Sequence, residues 1–123
     1  MQWARAAHLG LVTLFLAALV VQVFFAGAGA FGATSFAPHG ILGTLLVLVS
    51  LVVLVLSALA RSELRLSAAL FGLTVLQMVL VWLGDVSPWI SALHPVNALL
   101  VIGCAAGLLR RARAGDSTPA RVA

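Results

Sequence analysis

The sequence predicts an all-α integral membrane protein: an up-down-up-down four-helix bundle with an internal two-fold repeat that relates helices 1–2 to helices 3–4. Three observations predict it. Four apolar runs are each long enough to cross a bilayer. All the arginines fall on one side of those runs. The rare polar residues recur at a fixed offset. Of 123 residues, 63% are hydrophobic and only 8% are charged. A soluble domain carries about a quarter charged residues, and a disordered chain is poor in apolar ones, so both classes are excluded. The single Cys excludes a disulfide framework and a Cys-based metal site.

A transmembrane helix needs about 20 mostly apolar residues. The first run covers residues 9–30, the second 39–60, the third 66–84 and the fourth 92–109. The runs are continuously apolar, and they are too long for barrel strands of about 10 residues. Between them lie a small-residue stretch (31–38), a charged stretch (61–65) and a polar stretch (85–91). Links this short make consecutive spans antiparallel neighbours. They leave one membrane domain, residues 1–110, and a polar tail, 111–123, expected to be flexible and cytoplasmic.

Orientation follows from charge. Arg5 precedes the first span, Arg61 and Arg65 lie between spans two and three, and Arg110, Arg111, Arg113 and Arg121 follow span four. Arginine at span ends marks the cytoplasmic face, so both termini are expected in the cytoplasm, with the protein in the cell (plasma) membrane. Asp85 is then the charge on the outer side. Trp82 and Trp89 suit an outer interfacial belt and Trp3 an inner one. The net charge of +4 resides in these arginines, outside the apolar runs, and predicts no nucleic-acid partner. Residues 1–30 also resemble a signal peptide: Arg5, an apolar core, then small residues 26–30. The core is long enough to span, and its loss would break the repeat, so it is read as a retained helix.

A shift of 55 positions aligns the two halves without gaps. Gln22 falls on Gln77, Gly29 on Gly84, Ala37 on Ala92 and His39 on His94. Leu and Val matches mean little in so apolar a chain, but it holds only three His and three Gln. Spans one and two are thus related to spans three and four about the membrane normal. His39 and His94 each open an outside-to-inside helix, at one depth, and can point inward from diagonally opposite helices. Four residues on, Gly43 and Ala98 share the same helix face, and their small size is expected to leave room for a flat ligand. Gln22 and Gln77 are expected roughly two turns below the outer helix ends, lining that cavity from beneath.

Two neutral imidazoles facing each other across an apolar bundle suit the axial positions of a haem iron. Zinc usually takes three or four protein ligands and is disfavoured. The plainer reading makes both His residues interfacial caps and both Gln residues interhelical glue. The other polar residues read as structural. His8 is expected at the interface beside Arg5, Cys104 as a small hydrophobe, and Asp85 as a solvated loop residue. Ser50 and Ser57 are expected to bond carbonyls of the preceding turn. Pro38 and Pro95 fit first helical turns. No nucleophile elbow, phosphate loop, HExxH or carboxylate pair is present, so the chain is not expected to be an enzyme by itself.

The stretch ALHPVNALLVIGCAAGLLRRARA, with PHGILG opening span two, resembles a family of small four-helix bacterial membrane proteins known only as a domain of unknown function. That resemblance covers nearly the whole chain and implies no activity. The passage LQMVLVWLGDVSPWISALHPVNALLV is similar to the third and fourth helices of one half of a haem A synthase. This second resemblance implies that His39 and His94 are an axial pair. Phe36 stands where that pattern has Glu, Gly40 where it has Arg, only one half is present, and the outer-loop Cys pair of some members is missing. These departures speak against haem hydroxylation and leave a haem b carrier or electron-transfer protein. The expectation is therefore a bis-histidine haem b site at His39 and His94, with Gln22, Gln77, Gly43 and Ala98 around the macrocycle. The alternative is a cofactor-free accessory protein of the bilayer, working with another membrane protein. A homodimer would recreate the eight helices of a full synthase.

Overall fold

The computed structural model describes residues 2–116. Helix α1 is Gln2–Ala30, α2 is Ala37–Ala60, and α3 is Leu64–Trp82, continued by a 3-10 turn at Leu83–Asp85. A single turn, α4 (Pro88–Ser91), leads into α5, Leu93–Asp116. Four of these segments are long and apolar enough to cross a membrane. α1 touches α2 and α5, and α3 touches the same two helices. The order around the bundle is α1, α2, α3, α5, with α1 facing α3 and α2 facing α5 across the axis.

Helices α2 and α3 begin two residues earlier than expected, and α1 and α5 outrun their expected bounds by more. α1 begins seven residues earlier than the apolar run. α5 continues past residue 109 through Arg110–Ala114 to Asp116, so residues 111–116 are helical rather than tail. Ala and Arg are strong helix formers, and Arg113 in the last turn complements the helix dipole. Residues 117–123 of the expected tail lie outside the described residues.

The links explain where each helix stops. Gly32 adopts a left-handed conformation (φ 74°), which a glycine accepts without steric penalty, and Ala33 N–H reaches back to the Ala28 carbonyl at 2.8 Å. After α2, Arg61 takes the left-handed position at φ 52°, and Ser62 N–H closes on Ser57 C=O at 3.1 Å. Glu63 is also left-handed, at φ 56°, immediately before α3.

Buried positions recur every three or four residues: Ala4, His8, Val12, Phe15 and Leu19 on α1; Leu46, Ser50, Val53, Ser57 and Ala60 on α2; Ser67, Leu70 and Thr74 on α3; Asn97, Val101, Ala105 and Leu108 on α5. This heptad-like spacing of three to four residues puts each set on the inward stripe of its helix. Large apolar side chains such as Leu14, Val20, Leu48, Val52 and Leu99 face outward, as a lipid surround favours. Lipid removes most of the hydrophobic drive between helices, so close packing and interhelical hydrogen bonds hold them together. Midway along, Ser50 Oγ and Thr74 Oγ1 are 2.7 Å apart, joining α2 to α3.

Two polar residues differ from expectation. His8 does not face outward beside Arg5. It is 3% exposed and lies in the core, its Nε2 3.3 Å from Ser67 Oγ. Its heptad position turns it inward, whereas exposed Arg5 sits on another face. Ser50 does bond the Val47 carbonyl, at 2.7 Å, but the buried Ser57 hydroxyl has no partner. Trp3, Trp82 and Trp89 are exposed near the bundle ends, and Asp85 is exposed as expected.

Phe15 is fully buried at the centre of this seam. Phe15→Ala is expected to destabilise the bundle by about 3 kcal/mol, as buried Phe truncations do. A thermal melt in detergent that shifts no more than that of an outward Leu14→Ala variant would contradict the central placement.

Candidate paired-histidine site

The site is built from one motif used twice. In the first half, Gln22 Nε2 donates to the His39 carbonyl at 2.9 Å, and His39 Nδ1 meets the Gln22 carbonyl at 3.1 Å. In the second half, Gln77 Nε2 donates to the His94 carbonyl at 2.9 Å, and His94 Nδ1 meets the Gln77 carbonyl at 3.1 Å. Each side chain thus bonds the other residue's backbone. The two clasps join α1 to α2 and α3 to α5, and their matching geometry bears out the internal repeat.

The clasp fixes the chemistry of both rings. A backbone carbonyl can only accept, so Nδ1 must carry the proton. In the neutral imidazole, Nε2 then holds the lone pair. His39 and His94 meet across the axis from diagonally opposite helices, their ring centroids 6.1 Å apart and their planes inclined at 65°. Both are half-buried. Gln22 Nε2 also lies 3.5 Å from His39 Nε2. An N–H held by a main-chain carbonyl is the usual outer support of a metal-ligating histidine, because it sets the tautomer and the ring's aim.

The repeat extends to the loops. A Cβ on Gly29 would stand 3.0 Å from the Phe36 ring, and one on Gly84 would stand 2.9 Å from Ser91 Oγ. Phe36 and Ser91 are themselves repeat-equivalent, so each outer glycine seats the residue that precedes its histidine by three. Phe36 continues edge-on to His39 at 6.3 Å between centroids. Ser91 Oγ donates to the Leu80 carbonyl at 2.7 Å.

The expected role of Gly43 changes. A Cβ there would lie 3.0 Å from Gln22 Nε2. The low surface beside His39 is therefore taken up by the Gln22 carboxamide rather than left clear for a flat ligand. Ala98, its repeat partner, is half-buried. Gln22 and Gln77 stand against the histidines themselves, not in a separate floor beneath them.

One residue escaped the sequence reading. Asn97 is buried, and its Nδ2 donates to the Leu73 carbonyl at 2.9 Å and to Gln77 Oε1. Its signal was available: a lone Asn in an apolar run, three residues from His94 and on its face. The repeat places Leu42 at the equivalent position, so Gln22 Oε1 is buried without a donor.

These features define a class: a four-span helical membrane protein with a duplicated Gln–His clasp and a facing histidine pair. The chain belongs to DUF6220, a family of unknown function, whose model matches residues 22–84. The match begins at Gln22 and ends at Gly84, taking in the first clasp and the first residue of the second. No curated protein and no solved structure matches the chain.

The asymmetry between the halves is measurable. Either Gln→Leu change breaks a clasp, but Gln77→Leu also strips Asn97 of a partner, whereas the oxygen lost in Gln22→Leu is already unpaired. Gln77→Leu is expected to be the more destabilising by about 1 kcal/mol in chemical or thermal unfolding. Leu42→Asn, which offers Gln22 the donor that Asn97 gives Gln77, is expected to raise stability. A fall in the melting temperature of Leu42→Asn would argue against this pairing.

Proposed function

We propose that the protein binds one haem b, which His39 and His94 would hold, and carries electrons or holds haem there without making or breaking substrate bonds. The observation that carries this reading is the pair of imidazoles, each with Nδ1 tied to a helix carbonyl, facing each other at 6.1 Å. Two imidazoles that share one metal, each bonded at about 2 Å, place their ring centres roughly 6 Å apart. Haem would supply one-electron chemistry, and the chain's own groups would set ligand orientation and basicity. The apolar helix faces suit a macrocycle. Among the described residues no arginine stands at that end, so propionates would reach outer water. By the arginine asymmetry, the protein resides in the plasma membrane with its termini in the cytoplasm.

A second reading has its own observation. The Gln22 carboxamide fills the space that Gly43 leaves, and a macrocycle would have to displace it. On that reading the clasps are structural, and the protein is a cofactor-free partner of another membrane protein or of a second copy of itself.

Absorption spectra of detergent-purified protein, produced with haem supplied, separate the two. The haem reading expects a shifted Soret band and sharp α and β bands on dithionite reduction, with six-coordinate haem lost in both His39→Ala and His94→Ala. A featureless spectrum from well-folded protein overturns it and leaves the structural clasp.

A further inference from the structure

The arginine-rich end of the bundle carries charge that the protein does not balance. Arg5 lies on α1, Arg61 caps α2, Arg65 sits in the first turn of α3, and Arg110, Arg111 and Arg113 lie near the end of α5. All six are exposed. Against them the same end holds two acids, Glu63 and Asp116. Arg111 meets the Glu63 carboxylate at 4.0 Å with its side chain 68% exposed, and so long and open a contact contributes little. We propose that this end binds the headgroups of anionic phospholipids, with Arg110 and Arg113 as its main contacts. The surface lies at the far end from the histidine pair and does not depend on haem.

Depth is the first argument for lipid. Four apolar spans end here, so the guanidinium groups stand where the phosphates of a bilayer lie. Trp3, Leu59 and Leu64 are exposed at the same end and offer apolar contact to the chains beneath those phosphates. Residue type is the second argument. The chain's seven cations are all Arg and none is Lys. Orienting a span needs only positive charge, which Lys supplies equally. A guanidinium also presents a rigid fork of N–H donors that grips two phosphate oxygens at once, which an ammonium does not.

The placement on α5 singles out its arginines. The helix runs on past its apolar stretch to Asp116, so these side chains stand on an ordered element. Arg110 and Arg113 are three positions apart and share a face. Arg111 lies off that face and meets Glu63 of α3. Asp116 follows Arg113 by one turn, which leaves the pair with net positive charge. At the opposite end Asp85 is the charged residue, so attraction to an anionic surface belongs to one end alone.

The test is native mass spectrometry of the full chain in detergent, titrated with phosphatidylglycerol or with phosphatidylcholine of matched acyl chains. Phosphatidylglycerol is expected to bind at about fivefold lower concentration, as basic residues at a lipid surface allow. Arg110→Gln/Arg113→Gln should remove most of that preference, and Arg61→Gln/Arg65→Gln part of it. Asp85→Asn should leave it unchanged. Raising the ionic strength about tenfold should weaken it by screening. The substituted arginines are exposed, and circular dichroism verifies that each variant keeps its helices. Equal binding of the two lipids, a preference unmoved by both double variants, or displacement of the lipid by millimolar inorganic phosphate would each overturn the proposal. A DNA oligonucleotide that binds more tightly than phosphatidylglycerol would overturn it in favour of a nucleic-acid partner.

Discussion

In the hydrocarbon core no water can pair a polar group, so each one must find its partner within the protein. The Gln–His clasp is how this chain meets that rule at one end, and much else follows from it. Each clasp pairs a carboxamide N–H and an imidazole N–H with main-chain carbonyls. In doing so it fixes the distance and register between two antiparallel helices. It also decides which nitrogen of each histidine is free. The facing of His39 and His94 is thus a product of how the helices are joined, not a separate arrangement laid over the fold.

The two halves share a frame but not a finish. Gly29 and Gly84 both admit a side chain from the opening of the next helix, a phenyl ring in one half and a hydroxyl in the other. Asn97 completes the second clasp, and Leu42 leaves the first with a free oxygen. Each half nonetheless keeps one buried oxygen unpaired, Gln22 Oε1 in the first and Asn97 Oδ1 in the second.

The fold was legible because its determinants are local and long: four apolar runs, short links, and a repeat offset that brought Gln22, Gln77, His39 and His94 into correspondence. The juxtaposition of the two histidines was legible from the same symmetry. Other details depended on rotation about the helix axis, which apolar spans scarcely encode. With apolar residues on every face, nothing in the local pattern turned His8 inward, and only the heptad seam did so. Gly43 was read as clearance, correctly in steric terms, but the neighbour that uses the clearance comes from another helix. Asn97 went unread because its partner is a side chain 20 positions away.

The clasp partners are 17 residues apart in both halves, with only one short link between them. Each helical pair therefore holds its own clasp without a residue from the other. The contacts between pairs, Ser50 with Thr74, His8 with Ser67 and His39 with His94, close only when both are present. The bonding thus divides the bundle into two hairpins, each with its own clasp, joined by the contacts between them. Loop closure costs less for near neighbours in sequence, which favours the contacts within each hairpin. The His39–His94 and His8–Ser67 pairs, at opposite ends of the bundle, both need the two hairpins together.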